Sequence, residues 1–169
     1  IEAMMKAVKD EPNIEVATLV TKYPQGDEKR LINAVTGREV PAGGLPMDVG
    51  VIVNNVGTAA AIADAILTGM PLIERIVTIT GSAINKPRNL IVKIGTPFKE
   101  VIEQCGGYKG KPGKIIMGGP MMGIAQFTDE VPVIKGTSGI LVLNEKEAKI
   151  PEPMQCIRCG KCVDICPVN

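Results

Sequence analysis

Gly50-Val51-Ile52-Val53-Asn54-Asn55-Val56-Gly57-Thr58-Ala59-Ala60-Ala61 decides the fold class. After Gly50, three β-branched residues run through two asparagines into an alanine-rich stretch that ends at Gly69 and Pro71. A short apolar run of this kind predicts a buried strand at 50–53, and the alanines predict a helix over 58–67. Strand, turn, helix is the unit of an α/β layer. Upstream the same order recurs. Apolar residues of Ile1 to Val8 fall at helical spacing, Asp10-Glu11-Pro12-Asn13 stops that helix, and Ile14 to Val20 alternate as a strand does. Tyr23-Pro24-Gln25-Gly26 is a turn, and Asp27 stands as N-cap of a helix over 28–35, with Gly37 just past its end.

After Pro71 the texture changes. Residues 75–80 and 90–94 are β-branched and predict a hairpin across the turn that carries Asn85-Lys86-Pro87. Thr96 is placed to cap a helix ending at Gln104, before Gly106-Gly107, and short strands are expected at 114–117 and 139–143. A charged, helix-permissive linker, 144–149, leads through Pro151 and Pro153 to the last segment. The domains expected are therefore 1–71, part of an α/β domain; 72–143, a small β-grasp-like module; and 144–169, a linker with a metal-binding segment.

Composition sets bounds on function. The 169 residues suffice for a real core, but aromatics are only 2%, so that core is built from Val, Ile, Leu, Ala and Met. With net charge +1 and no basic cluster interleaved with aromatics, nucleic acid is not an expected partner. No apolar run approaches the roughly 20 residues that span a bilayer, which predicts a soluble or peripheral chain. The first residues carry no initiator methionine or basic leader and read as the middle of a helix, so the chain reads as a fragment.

The chemistry is concentrated at the C-terminal end, in Cys156-Ile157-Arg158-Cys159-Gly160-Lys161-Cys162-Val163-Asp164-Ile165-Cys166-Pro167. This C-x2-C-x2-C-x3-C-P run has the spacing of bacterial ferredoxins. Three thiolates converge on one 4Fe-4S cubane while the fourth serves a second cluster. A sulfur-only zinc site is the alternative for the same donors. A disulfide pair requires an oxidising compartment, which no secretory signal suggests. The chain has no histidine and no visible nucleophile with a base, so any chemistry is cofactor chemistry.

Three other segments have two readings each. Gly26-Asp27-Glu28 can offer backbone N–H groups and carboxylates to a ligand, or can be an ordinary acidic helix start. Asn54-Asn55-Val56-Gly57-Thr58 can hold a phosphate at a helix N-terminus, or can simply cap that helix; it is neither a Walker loop nor a dinucleotide fingerprint. Gly118-Gly119-Pro120-Met121-Met122-Gly123 allows close backbone approach to a partner, or is a plain glycine-rich loop. Cys105, with no second cysteine nearby, reads as a buried thiol.

Taken together, Tyr23-Pro24-Gln25-Gly26-Asp27-Glu28-Lys29, Leu45-Pro46, Val53-Asn54-Asn55-Val56-Gly57-Thr58-Ala59, Gly118-Gly119-Pro120-Met121-Met122-Gly123, Lys135-Gly136-Thr137-Ser138 and the cysteine run resemble the C subunit of the Rnf electron transport complex. That family is similar to the flavin- and NADH-binding subunit of respiratory complex I. The resemblance implies an FMN site including Tyr23, Gly26, Asp27, Glu28, Asn54, Asn55 and Thr58. It implies a β-grasp module of the soluble-ligand-binding (SLBB) type in the middle, and Cys156, Cys159 and Cys162 on one 4Fe-4S cluster with Cys166 at a corner of a second. Asp27 and Gly57 stand where the complex I relative has glutamates, which shifts the implied contacts toward the flavin phosphate.

The activity implied is an NADH-linked oxidoreductase and ion translocase, with this fragment inactive alone. Electrons pass between NADH, FMN and the clusters, and other membrane subunits, ferredoxin indirectly among the partners, couple the transfer to ion movement. The place implied is peripheral, on the cytoplasmic face of the bacterial plasma membrane. Soluble flavin/iron-sulfur reductases of the cobalamin- or amino-acid-reductase type share the cysteine pattern, and a non-catalytic docking module with structural zinc is the reading from another class.

Overall fold

A computed structural model describes residues 1–166. In chain order its elements are α1 (Glu2–Ala7), α2 (Glu28–Thr36), a 3-10 helix (Pro46–Val49), α3 (Val56–Thr68), β1 (Glu74–Thr80), β2 (Arg88–Lys93), α4 (Phe98–Gln104), β3 (Pro112–Met117), β4 (Ile124–Gln126), β5 (Gly139–Asn144), α5 (Glu145–Ala148) and α6 (Lys161–Asp164). The chain divides into two compact units, Ile1–Asn54 with the residues from Gln155 onward, and Asn55–Met154.

The second unit is a mixed α/β module around a five-stranded sheet of order β2-β1-β5-β3-β4. The hairpin expected from the β-branched runs is present: β1 and β2 pair antiparallel, with Ile76 opposite Ile91 and Val77 opposite Leu90. β5 returns parallel to β1, and β3 pairs antiparallel with β5 and with β4. Alternation along β1 and β5 buries Val77, Ile79, Ile140 and Val142 on one face. Against that face lies α4, which buries Phe98, Val101, Ile102 and Cys105, the i, i+3, i+4, i+7 stripe of a helix facing a core. Cys105 is the buried thiol its isolation suggested. Burial pushes its ionisation up, partly offset by the Arg88 charge.

Polar clamps close the loops of this module. Asn85 donates from Nδ2 to the carbonyls of Gly106 (2.8 Å) and Tyr108 (3.2 Å), tying the loop after β1 to the end of α4. The linker forms α5, with Asn144 accepting at Oδ1 from the Glu147 N–H at 2.9 Å as its N-cap. Ser82 accepts from the Asn144 N–H and donates to the Glu147 carboxylate, which fixes α5 to the loop after β1.

In the first unit Ile32, on α2, is the one buried side chain among the described residues. Around it Thr36 Oγ1 donates to the Ile32 carbonyl at 2.7 Å, and Arg38 donates to that of Val49 at 2.7 Å. Gly37, left-handed at φ 71°, ends α2 as expected.

Several sequence expectations are corrected. Residues 14–20 and 50–53 belong to no strand, and Gly50 instead ends the 3-10 helix at φ 71°; Ile14, Val20 and Ile52 are exposed. A strand is stabilised by a ladder partner and a covered face, and among the described residues these segments have neither. α3 starts two residues earlier than Thr58, because Asn55 rather than a later residue caps it. Thr96 does not cap α4; Pro97 takes that position, while the Thr96 carbonyl accepts from the Val133 N–H at 2.8 Å. β4 is a strand that the glycine-rich loop before it concealed. Pro167, the expected chain-turning proline, lies outside the described residues.

Candidate metal and flavin sites

The cysteine segment has no long regular element. Residues 151–159 are irregular, Gly160 is left-handed at φ 77°, and α6 carries Cys162. Cys156, Cys159 and Cys162 are exposed, as is Cys166. The Arg158 backbone N–H donates to Cys156 Sγ at 3.4 Å, and Arg158 itself is at φ 56°. A left-handed residue two positions after a cysteine turns its amide back onto the sulfur, and such N–H groups stabilise thiolate ligands. Among the described residues no three Cys, Asp or Glu side chains converge as they do on a single metal ion. Exposed soft sulfur donors on a loop with an N–H···S bond fit an iron-sulfur cluster. Cys156, Cys159 and Cys162 are the residues that would hold it.

Of the residues expected at the flavin, Tyr23, Gly26, Asp27 and Glu28 lie together in the first unit. Two overlapping turns shape the stretch, with Gln25 N–H on the Lys22 carbonyl at 2.9 Å and Asp27 N–H on that of Pro24 at 2.8 Å; the Tyr23-Pro24 peptide is cis. Tyr23 is 61% exposed. Asp27 has the extended backbone of an N-cap, yet its carboxylate makes no capping bond. Its oxygens, and those of Glu28 in the first turn, are thus not used by the helix and are available to a ligand's donors. A Cβ added at Gly26 would meet nothing within 4 Å, so the surface there is open.

Asn54 ends the first unit, and Asn55 and Thr58 lie in the second, at the start of α3. Asn55 Oδ1 accepts from the Gly57 N–H at 2.9 Å, and the Thr58 N–H turns back on the Asn55 carbonyl at 2.9 Å. The capping reading of Asn55 is therefore correct in geometry. It leaves the Asn55 amide nitrogen and the Thr58 hydroxyl as donors beside a helix N-terminus, a donor set that suits an anion. The absence of a side chain at Gly57 matters here, since a Cβ would stand 3.2 Å from Asn55 Oδ1. Taken separately, the 23–28 turn offers carboxylates that suit a ligand's hydroxyls, and the start of α3 offers donors that suit a phosphate. A flavin held there would supply both two-electron and one-electron redox chemistry.

A signal that the sequence did not show is Arg158. Nothing in its residue type marks a left-handed position, and only the backbone reveals it.

An acid-edged turn, a capped helix start, a five-stranded sheet and a cysteine run with ferredoxin spacing follow one another along the chain. Family comparison agrees. Residues 1–64 match the Nuo51 FMN-binding domain, 76–125 the SLBB domain and 150–169 the 4Fe-4S binding domain. The chain is 57% identical over its full 169 residues to the C subunit of the Na(+)-translocating ferredoxin:NAD(+) oxidoreductase complex of Acetobacterium woodii, covering 38% of that protein. It is 54% identical, over the full chain and 37% of the relative, to the C subunit of the proton-translocating ferredoxin:NAD(+) oxidoreductase complex of Clostridium ljungdahlii. Against the C subunit of the ion-translocating oxidoreductase complex of Methanosarcina acetivorans it is 48% identical over 98% of the chain and 36% of the relative. Along its length the chain is similar to C subunits of ion-translocating oxidoreductase complexes, and it spans a little over a third of the length of these relatives.

Proposed function

We propose that this chain is the part of an Rnf-type C subunit that leads from the flavin site to the first iron-sulfur cluster. The whole protein is then the NADH-linked oxidoreductase subunit of a membrane-bound ion-translocating complex, with NAD(H) as substrate, ferredoxin as an indirect partner, and the other subunits as neighbours. One observation carries the reading: flavin-domain, SLBB and 4Fe-4S matches follow one another in a chain similar throughout to C subunits. Asp27, Glu28, Tyr23 and the Gly26 turn orient the flavin, Asn54, Asn55 and Thr58 hold its phosphate end, and Cys156, Cys159 and Cys162 receive the cluster, with Cys166 serving a second. The organisation proposed is 1–71 flavin domain, 72–143 SLBB module and 144–169 linker with the first half of the cluster segment. No helix among the described residues is long and apolar enough to cross a membrane, which supports a peripheral subunit; we place it on the cytoplasmic face, where NADH is found.

The test is anaerobic reconstitution of the full-length protein with iron, sulfide and FMN. About eight irons, two 4Fe-4S clusters, and one flavin are expected. A protein that binds neither overturns the proposal, and stoichiometric zinc without iron replaces it with a structural metal site.

A further inference from the structure

The two edges of the five-stranded sheet differ in chemistry. β2, at one end of the order β2-β1-β5-β3-β4, begins with Arg88 and ends with Lys93, charges of the kind that keep an edge strand from pairing with another chain. β4, at the other end, carries none. From Ile115 to Thr128 no residue is charged, in a chain where 22% are. Met121 is 68% exposed, Met122 87%, Ile124 62% and Phe127 96%, whereas the chain's other phenylalanine, Phe98, is fully buried. Apolar surface gathered on neighbouring residues in this way marks an interaction site, unlike side chains exposed singly.

The backbone holds this surface in place. Gly123 N–H donates to the Gly119 carbonyl at 2.8 Å, and a Cβ at Gly123 would collide with Ile116 and with the main chain of Gly119 and Met117. Met121 and Met122 therefore stand at the tip of a tight turn. Gly118 N–H donates to the Gly139 carbonyl of β5 at 2.8 Å. By the alternation of antiparallel strands, Ile115 and Met117 then turn their backbone groups to β4 and pair with Gln126 and Ile124. Ala125, between those two, turns its N–H and C=O away from the sheet and has no ladder partner on that side among the described residues. Gln126, the polar side chain of β4, donates its amide to the Ile124 carbonyl at 2.9 Å. The edge is left apolar, with a backbone donor and acceptor open.

We propose that the β4 edge, together with Met121, Met122 and Phe127, takes an extended, uncharged strand from another subunit of the complex, added to the sheet beside β4. The inference rests on the reading of this chain as part of a complex subunit. Strand addition supplies main-chain bonds at Ala125, and the apolar side chains around it select the strand that fits. A charged strand would lose hydration against this run and gain no counter-charge, so the partner segment is uncharged. The methionines adapt to its shape.

The experiment is co-purification of the affinity-tagged full-length C subunit with the other subunits of its complex, comparing wild type with Phe127→Asp, Ile124→Lys, Ala125→Pro and Ile91→Asp. Phe127→Asp and Ile124→Lys change exposed side chains. Proline is tolerated in an edge strand where its nitrogen faces outward, so Ala125→Pro removes the open donor and leaves the pairs with β3. Ile91, 69% exposed on the charged edge, is the control. The three β4-edge variants are each expected to lower the other subunits recovered per C subunit by about tenfold or more, with the circular dichroism of the C subunit unchanged. Ile91→Asp is expected to recover the full complement. Full recovery with Phe127→Asp and Ile124→Lys overturns the proposal, and so does a loss with Ile91→Asp as large as theirs. Full recovery with Ala125→Pro alone also overturns it, since the contact is then apolar without strand pairing. A wild-type C subunit that is dimeric by itself in light scattering, and monomeric as Phe127→Asp, overturns it by placing a second copy on the edge. A wild-type C subunit that recovers no other subunit defeats the reading as a complex subunit, an outcome distinct from all of these.

Discussion

Tyr108 donates from its phenol to Asp129 Oδ2 at 2.8 Å, joining the loop after α4 to the loop that leads into Val133. Burial, then the hydrogen bond to Asp129 and its charge, pushes the phenol's ionisation well above the ordinary value. Tyr108→Phe should cost about 1.5–3 kcal/mol, the worth of a hydrogen bond to a charged group. The sign with pH follows from the direction of the shift. The folded state holds the phenolic proton more tightly than the unfolded chain. Its contribution is fully present below pH ~10, where an unfolded tyrosine titrates, and is lost as pH rises toward the folded value. Urea melts of both proteins should show their stability gap at pH 8 narrowing by pH 11; a constant gap would mean that the bond is not what holds these loops.

Gly81 tests close packing in the same module. It sits at φ 122°, and a Cβ there would collide with the backbone of Val142 in β5. The obstacle is main chain inside the sheet, so no side chain can move aside. Gly81→Ala should therefore cost about 3 kcal/mol, from left-handed strain and overpacking combined. Gly119→Ala is the control. A Cβ at Gly119 meets nothing within 4 Å, and its effect should stay within about 0.5 kcal/mol. Equal midpoints for the two variants in denaturant titration would sink the argument.

These residues also show what was legible in the sequence. The stripe Phe98, Val101, Ile102, Cys105 and the alternation of Val77 with Ile79 could be read because helix and sheet, each with its partner, both lie within this module. Residues 14–20 and 50–53 carry equally good strand patterns, but a pattern states which face is to be covered and not what covers it. The cysteine run is legible as a pattern because its spacing is that of ferredoxin cluster ligands. Asp27 was half legible: its backbone is that of a cap, but its carboxylate does not serve the helix. The left-handed turn at Arg158 was not legible, since arginine has no preference for that conformation.

Asp27 and Asn55 separate ligand binding from helix capping. Asp27 makes no capping bond, so Asp27→Ala should leave the melting temperature within about 2 °C while weakening FMN binding by about tenfold or more, as expected for loss of one charge-assisted hydrogen bond. Asn55 does cap, through Gly57 N–H at 2.9 Å, so Asn55→Ala should cost about 1 kcal/mol as well as flavin affinity. Fluorescence titration of FMN into the full-length variants, alongside thermal melts, reads both effects. Unchanged flavin affinity in Asp27→Ala would remove that residue from the site.

On the proposed reading the cysteines divide between two clusters. Cys156, Cys159 and Cys162 follow the two-residue spacing of one cubane, and Cys156 already receives the Arg158 amide. Cys166 follows after three residues, beyond α6. Cys156→Ser, Cys159→Ser or Cys162→Ser in the full-length protein should each lower iron from about eight toward about four atoms, and abolish one of two EPR signals. Cys166→Ser should abolish the other signal and keep the first. Such a split requires that each thiol commit to a single cluster, as the two spacings demand. Iron assay and EPR on anaerobically reconstituted variants check it; loss of the same signal in Cys162→Ser and Cys166→Ser would place both thiols on one cluster and refute the division.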